Sequence, residues 1–221
     1  MVKVLNTIHE DYHIHSINYS DGMNTIDEIV QYAGKIGMKK IVITDHSQIA
    51  IDINNLWKKT FRAATKRRKN VHNDVEVSFG VEWDLLDEEG NCCFDIQGKE
   101  PDFCILSCHE EVFKWDLKNI THAYINAIKK HHNKISFLGH VCLKNTSQYL
   151  DIETLIKVAN KYHIPIEFNA KCFVLDRTDK EKLDKMLNLA DQIYINSDGH
   201  MLADLEVKET AFDYLKEKGY I

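Results

Sequence analysis

Nine histidine, aspartate and glutamate side chains in this chain stand where they could bind metal ions together. Each of them ends or closely follows a short apolar run, and together they include six of the chain's twelve histidines. A single such histidine is more often a surface or satisfied core residue, so it is the shared placement that predicts a metal cluster. The predicted metal ligands are His13, His15, Asp21, His46, Glu82, His109, His140, Asp198 and His200.

The types and spacing of these side chains indicate which ions they would bind. His13 and His15 are two residues apart in an extended run, so both imidazoles project to the same side and can reach one ion. Imidazole combined with carboxylate suits Zn²⁺, Mn²⁺ or Fe²⁺ better than Mg²⁺ or Ca²⁺. Nine ligands are too many for one tetrahedral zinc, and they predict two or three ions.

The charge of such a cluster indicates the reaction. Asp21, Glu82 and Asp198 supply three negative charges. The positive charge of three divalent ions would exceed this negative charge and make the pocket attractive to a phosphate dianion. Bound ions also lower the pKa of water to about 7. We therefore predict hydrolysis of phosphate monoesters, in which a metal-bound hydroxide attacks phosphorus in line. The residues predicted to be catalytic are His13, His15, Glu82 and Asp198.

Alternating short apolar runs and amphipathic segments predict the elements that position these residues. Such alternation is typical of an α/β protein with a mainly parallel sheet. Between the third and fourth runs, the segment EEGNCCFDIQG predicts a short hairpin arm in place of a helix. The predicted strands lie in 12–16, 40–46, 75–83, 102–109, 135–140, 164–170 and 192–200. The predicted helices lie in 26–33, 52–70, 116–131, 151–159, 178–190 and 204–218.

The positions of the nine residues favour a closed sheet. They fall at or just beyond the carboxyl ends of six of the seven predicted strands. In a closed α/β barrel these ends converge on one face, where residues distant in sequence meet. In an open sheet the outer strands would be too far apart to share one cluster.

The length, net charge and cysteine content of the chain limit its domain number, location and partners. The chain has 221 residues, a net charge of −6 and six cysteines without a CxxC pair. We predict one domain over 1–221, in a cytoplasmic protein with reduced thiols and no membrane span. The acidic balance disfavours long nucleic acid as a partner. The basic segment 58–69 carries seven Lys and Arg residues; it is interpreted as a solvated helix face, with a patch that steers polyanionic substrates as the alternative.

The motifs that carry these residues resemble those of the PHP (polymerase and histidinol phosphatase) superfamily. The resemblance runs from about residue 11 to 200, and the segments SCHEEVF (107–113) and IPIEFN (164–169) are most similar to its small stand-alone zinc phosphatases. The matching motifs are His13-Ile-His15, Tyr19-Ser20-Asp21-Gly22, Thr44-Asp45-His46, Gly80-Val81-Glu82, His109, Gly139-His140 and Ser197-Asp198-Gly199-His200.

This resemblance implies a distorted (β/α)7 barrel with a trinuclear site. Carried over by position, the first ion would be bound by His13, His15, Glu82 and Asp198. The second would be bound by Asp21, His46 and His200, and the third by His109 and His140 with Glu82 as a bridge. Asp21 stands where some relatives have histidine, which could shift the metal preference from zinc toward manganese or iron.

The sequence says less about the substrate contacts and about alternative functions than about the metal ligands. Arg177, Lys171 and Asn169, at or after the sixth strand, are predicted to contact a small phosphorylated substrate; plain loop solubility is an equal alternative for them. Histidinol phosphate belongs among the candidates, because the superfamily includes enzymes for it. A nuclease or phosphodiesterase acting on nucleotide ends is the second hypothesis, and a non-catalytic metal-binding regulatory module is the third.

Overall fold

The fold is one curled sheet of parallel strands with helices packed around it. The structure is a computed structural model that describes residues 1–56, 71–99, 101 and 103–221. Its strands are β1 (Lys3–Val4), β2 (Glu10–Ile14), β3 (Lys40–His46), β4 (Glu76–Leu85), β5 (Cys92–Cys93), β6 (Cys104–Ser107), β7 (Phe137–Leu138), β8 (Ile166–Asn169) and β9 (Gln192–Asn196). The sheet order is β1-β9-β8-β7-β6-β4-β3-β2, and β5 pairs antiparallel with β4 at its side.

The sheet closes on itself where β2 meets the segment after β9. Ile14 forms a parallel bridge with Gly199. The His15 N–H donates to the Gly199 carbonyl at 2.8 Å, and the Gly199 N–H donates to the His13 carbonyl at 3.1 Å. Seven strands, β2, β3, β4, β6, β7, β8 and β9, thus form the ring, one for each predicted run. The prediction of a distorted seven-stranded α/β barrel is confirmed.

Side-chain hydrogen bonds reinforce this seam, because few backbone hydrogen bonds join its two strands. Asn196 accepts the Tyr12 N–H at 3.1 Å, and Asp11 accepts the Ser197 N–H at 3.1 Å. Asn6 donates to a β9 carbonyl at 2.8 Å. These polar residues are buried because they satisfy backbone groups that have no strand partner at the seam.

The helices follow the amphipathic pattern and begin at side-chain caps. The Thr25, Asp151 and Asp179 side chains each accept the backbone N–H three residues on, as N-caps do. Gly37 adopts a positive φ of 80° just beyond the first helix, where a left-handed residue ends the turn. The α-helices are Ile26–Lys35, Gln48–Ile53, Ile120–His131, Lys144–Ser147, Ile152–Lys161, Ala170–Val174, Lys180–Leu189 and Lys208–Glu217.

Several details differ from the sequence-based expectation. β1 was not predicted, because two residues are too few to show a period. The last predicted helix, 204–218, is divided into a 3-10 helix, Leu202–Glu206, and the α-helix Lys208–Glu217. The predicted hairpin arm is present as β5. Most of the predicted helix 52–70, with the basic segment 58–69, lies outside the described residues.

Apolar packing on both sides of the ring holds these elements in place. Ile29, Val30 and Ala33 of the first helix pack with Ile41 and Ile43 of β3. Such buried side chains are the main source of stability in a domain of this size. All six cysteines are free thiols. None of the helices in the described part of the chain is both long and apolar enough to cross a membrane.

Candidate metal centre

The barrel gathers all nine predicted ligand residues at one mouth. They come from the carboxyl ends of β2, β3, β4, β6, β7 and β9 or from the loops that follow them. Glu82 on β4 is the central residue, with 1% of its surface exposed. Five imidazoles have a nitrogen within 2.8–3.5 Å of its carboxylate oxygens, those of His13, His15, His46, His109 and His140.

The two other carboxylates extend the cluster toward the mouth. Asp198 Oδ1 lies 3.6 Å from His13 Nε2 and 3.4 Å from His15 Nε2. Asp21 Oδ1 lies 3.4 Å from His46 Nε2 and 3.3 Å from His200 Nε2. Three groups therefore have ligand atoms within 4.8 Å of one another: His13, His15 and Asp198; His15, Asp21, His46 and His200; and His46, Glu82 and His109.

These groups fit divalent ions because several of their inner atoms make no hydrogen bond and lie only 3.0–3.6 Å from one another. Buried polar atoms are almost always hydrogen-bonded. Here His13 Nε2, His15 Nε2, His46 Nδ1 and Glu82 Oε2 are buried and make no hydrogen bond to any group the structure describes. Imidazole nitrogen and carboxylate oxygen are the donor set that zinc and related ions prefer.

The ionisation states also suit cations. Burial acts against the charge of Glu82, but His109 and His13 hold its pKa well below the ordinary range. Burial likewise opposes the charge of Asp198, and His13 and His15 keep its pKa low. Burial, with the charges of His200 and His46, lowers the pKa of His15 to about 3, so this imidazole is neutral and can donate its lone pair.

A second layer of buried carboxylates orients the imidazoles. Glu167 on β8 is 1% exposed, and its Oε1 accepts from His13 Nδ1 at 2.8 Å. Its Oε2 accepts the His140 backbone N–H at 2.9 Å. Asp84 accepts from His109 Nδ1 at 2.6 Å. Such bonds fix which ring nitrogen faces the ion, as carboxylate–histidine–metal triads do.

Sequence patterns did not single out Glu167 and Asp84. A usable signal existed, because Asp84 is two residues after Glu82 on one strand and so faces the same side. Glu167 is a lone charge within the apolar run IPIEFN, and a charge there must have a buried partner. The partner of each is a histidine from another strand, which only the fold identifies.

Comparison with known proteins identifies the family of this chain. The family model described as "PHP domain" matches residues 11–214. The chain belongs to the PHP family. A "probable phosphatase" of Thermoanaerobacter sp. (strain X514) is 31% identical over 219 residues, which are 95% of this chain and 86% of that protein. One from Caldanaerobacter subterraneus is 29% identical over 94% of this chain and 82% of that protein.

Solved PHP structures share the fold at low identity. A histidinol phosphate phosphatase from Lactococcus lactis, complexed with zinc, L-histidinol and phosphate, superposes with a TM-score of 0.55. It is 15% identical, over 93% of this chain and 92% of its own. A structure from Listeria monocytogenes, titled as a histidinol phosphatase, has a TM-score of 0.59 at 14% identity, over 88% and 96% of the two chains. The family and fold predictions are confirmed.

A cavity of about 360 Å³ opens above the cluster of predicted ligand residues. Lys171 and Arg177, two of the predicted substrate contacts, lie on its wall. The Lys171 ammonium is held 2.9 Å from His200 Nδ1 and 3.3 Å from an Asp204 oxygen. Asn169 lies behind the cluster, where its amide donates to Glu167 and Asp198 at 3.1 Å each.

The backbone carries strain at two of the nine positions. His140 has a φ of 30° and Asp198 a φ of 53°, in the left-handed region that side chains other than glycine seldom occupy. Such strain costs about 1–3 kcal/mol per residue and persists where the surroundings impose it. Here the His140 N–H bond to Glu167 and the Asn169 bond to Asp198 impose it.

Proposed function

We propose that this chain is a metal-dependent phosphatase that hydrolyses small phosphate monoesters at a trinuclear site. The observation that carries the proposal is the convergence of nine imidazole and carboxylate side chains from six strand ends below an open cavity, while four of their buried atoms make no hydrogen bond to a described residue. Three overlapping ligand groups support three ions, with zinc as the first choice and manganese or iron as alternatives.

The proposed ligand sets draw on these groups, with His140 added because its Nε2 lies 2.8 Å from Glu82. His13, His15 and Asp198 would bind one ion beside Glu82. Asp21, His46 and His200 would bind a second, with His15 also within reach. His109 and His140 would bind a third through the shared carboxylate of Glu82.

Ions bound there would supply an activated water and neutralise the charge that develops on phosphorus. The chain's own residues do the rest. Glu167 and Asp84 hold His13 and His109 in the tautomers that present Nε2 to the cluster. Arg177 and Lys171 stand above it, where they can orient the phosphate oxygens. The reaction forms a bond from water oxygen to phosphorus, breaks the ester bond and returns a proton to the departing alcohol.

The cavity favours a small monoester over an oligonucleotide. Its volume is near the lower end for ligand pockets. Leu143 and Leu175 border it together with Arg177. Histidinol phosphate is a reasonable member of the first substrate panel, because two solved structures of this fold carry that name. We also expect the protein to act in the cytoplasm, as the reduced cysteines suggest.

The test is phosphate release after loading with Zn²⁺ or Mn²⁺, with the metal content per chain measured on the same preparation. We expect about three ions per chain, and a loss of at least a hundredfold in kcat/KM for His13→Gln and Glu82→Gln. His122→Ala, at an exposed helix position, is the matched control and should keep wild-type turnover. If both cluster variants fold and turn over like wild type, the site is rejected. Oligonucleotides in the same panel examine the nuclease alternative.

A further inference from the structure

The Ser20 hydroxyl is a buried group that contacts three of the proposed metal ligands. Ser20 lies in the turn that follows β2 and is 0% exposed. Its Oγ lies 3.2 Å from His15 Nδ1, accepts the His46 backbone N–H at 3.2 Å and donates to Asp21 Oδ1 at 3.1 Å. One hydroxyl therefore links residues that reach the cluster from the end of β2, from the end of β3 and from the turn after β2.

The turn that carries Ser20 is anchored to both strands. The Ser20 N–H donates to the Ser16 carbonyl at 2.9 Å. Ser16 donates from its backbone N–H and from its hydroxyl to the carboxylate of Asp45 on β3, at 2.5 and 2.7 Å. Gly22 lies so close to β2 that a Cβ there would collide with the His15 carbonyl oxygen. The fold therefore places the Ser20 hydroxyl beside His15.

The direction of these hydrogen bonds determines which His15 nitrogen carries a hydrogen. The Ser20 hydroxyl has one hydrogen to donate. The Asp21 carboxylate must be ionised to bind an ion, so it can only accept, and it takes that hydrogen. His15 Nδ1 is then the donor to Ser20 Oγ. Because a neutral imidazole has one N–H, this leaves the lone pair on Nε2.

That lone pair is on the side of His15 that faces the cluster. His15 Nε2 lies 3.4 Å from Asp198 Oδ1 and 3.5 Å from Glu82 Oε2, and it is buried without a hydrogen bond to a described residue. The two carboxylates would attract a hydrogen on Nε2, and that hydrogen would block the nitrogen as a ligand. We propose that Ser20 is a positioning residue that holds His15 in the Nδ1–H tautomer and so keeps the Nε2 lone pair available to an ion. This proposal rests on the proposed metal-dependent function.

The tautomer can be measured in chelator-treated protein. Two-bond ¹⁵N–¹H correlation spectra of protein labelled with ¹⁵N-histidine distinguish Nδ1–H rings from Nε2–H rings, and His15→Gln identifies the His15 signals by their loss. We expect the Nδ1–H form in wild type. Ser20→Ala removes the acceptor, so the Nε2–H form should gain, because its hydrogen faces the two carboxylates. Ser20→Thr retains a hydroxyl and should keep the wild-type tautomer.

Zinc affinity, measured by competition with a fluorescent chelator, is the second readout. Ser20→Ala should weaken zinc binding about 10–100-fold, as loss of a hydrogen bond behind a metal-binding histidine does. Ser20→Thr should restore most of that affinity. Ser147→Ala is the matched control, because Ser147 is also a buried serine with 0% exposure, but its hydroxyl makes no hydrogen bond to a described residue. It should change neither the tautomer nor the zinc affinity.

The possible results separate this proposal from the function beneath it. An Nε2–H form of His15 in metal-free wild type would overturn the proposal, and this measurement needs no variant at position 20. Wild-type zinc affinity in folded Ser20→Ala would also overturn it, as would weaker affinity with an unchanged tautomer or an equal loss in Ser147→Ala. In each of these cases the phosphatase function stands if wild type binds zinc and releases phosphate. A wild-type protein that binds no zinc would reject both proposals.

Discussion

Glu167 provides the most direct test of how the second layer supports the metal centre. Its two oxygens accept from four donors: His13 Nδ1 at 2.8 Å and the Asn196 amide at 3.0 Å on Oε1, and the His140 N–H at 2.9 Å and the Asn169 amide at 3.1 Å on Oε2. A carboxylate has about four lone-pair positions, so this set fills it. Glu167→Gln keeps the shape and replaces one oxygen with an NH₂ group.

The expected loss of stability follows from the number of donors that would lose their acceptor. Glutamine has one acceptor oxygen, so two of the four donors lose their partner and face another donor. Leaving a buried donor unsatisfied costs about 1–3 kcal/mol, which gives about 2–6 kcal/mol for the pair. Loss of the carboxylate behind His13 should also weaken metal binding about 10–100-fold.

Urea unfolding of chelator-treated protein measures the first quantity, and competition with a fluorescent zinc chelator measures the second. Glu181→Gln, at an exposed helix position where the side chain is 80% exposed, serves as the control and should change the free energy of unfolding by less than about 1 kcal/mol. A folded Glu167→Gln protein with wild-type zinc affinity would refute the idea that Glu167 orients His13.

Three further predictions test other parts of the structure. Lys208→Met should lower the free energy of unfolding by about 3–5 kcal/mol in urea titrations, because it leaves the fully buried Asp11 carboxylate without its cation. Burial opposes the charge of His46, but its carboxylate partners raise its pKa to about 10; its contribution to metal-free stability should therefore be complete below about pH 6.5 and be lost as pH rises toward 10. Over that same window zinc affinity, measured by chelator competition, should rise, because the ion displaces the proton. Gly139→Ala should destabilise the protein by about 1–3 kcal/mol in thermal or urea unfolding, since a Cβ there would collide with the Ser107 hydroxyl.

The residues of the cluster could be predicted from the sequence because their signal is local. His46 ends a β-branched run, and His13 and His15 have the two-residue spacing of one strand face. Each such run identifies its own strand end without knowledge of the others. Parallel strands then bring those ends to one face, so the cluster follows from the topology alone.

The rest depends on contacts that no local pattern encodes. Glu167 is recognisable as a buried charge, but its partners His13 and His140 come from two other strands. Glu111 resembles any exposed acid in sequence, but unlike Glu110 it is one of the residues that line the cavity. The break between Leu202–Glu206 and Lys208–Glu217 falls within one amphipathic pattern, and Asp204 caps the beginning of the first segment by accepting the N–H groups of His200 and Met201.

Barrel closure and metal binding depend on the same few residues. The seam is short, and its backbone bonds join Gly199, which lies between the proposed ligands Asp198 and His200, to the proposed ligands His13 and His15. In that region Asp198 faces the same two imidazoles at 3.4–3.6 Å. An ion shared by these side chains would connect strands from opposite ends of the chain, and ligands that bind only the folded state stabilise it by mass action. Seam closure without metal relies on Asp11, Asn196 and their backbone partners, so these polar residues are best understood as keeping the site assembled before the ions arrive.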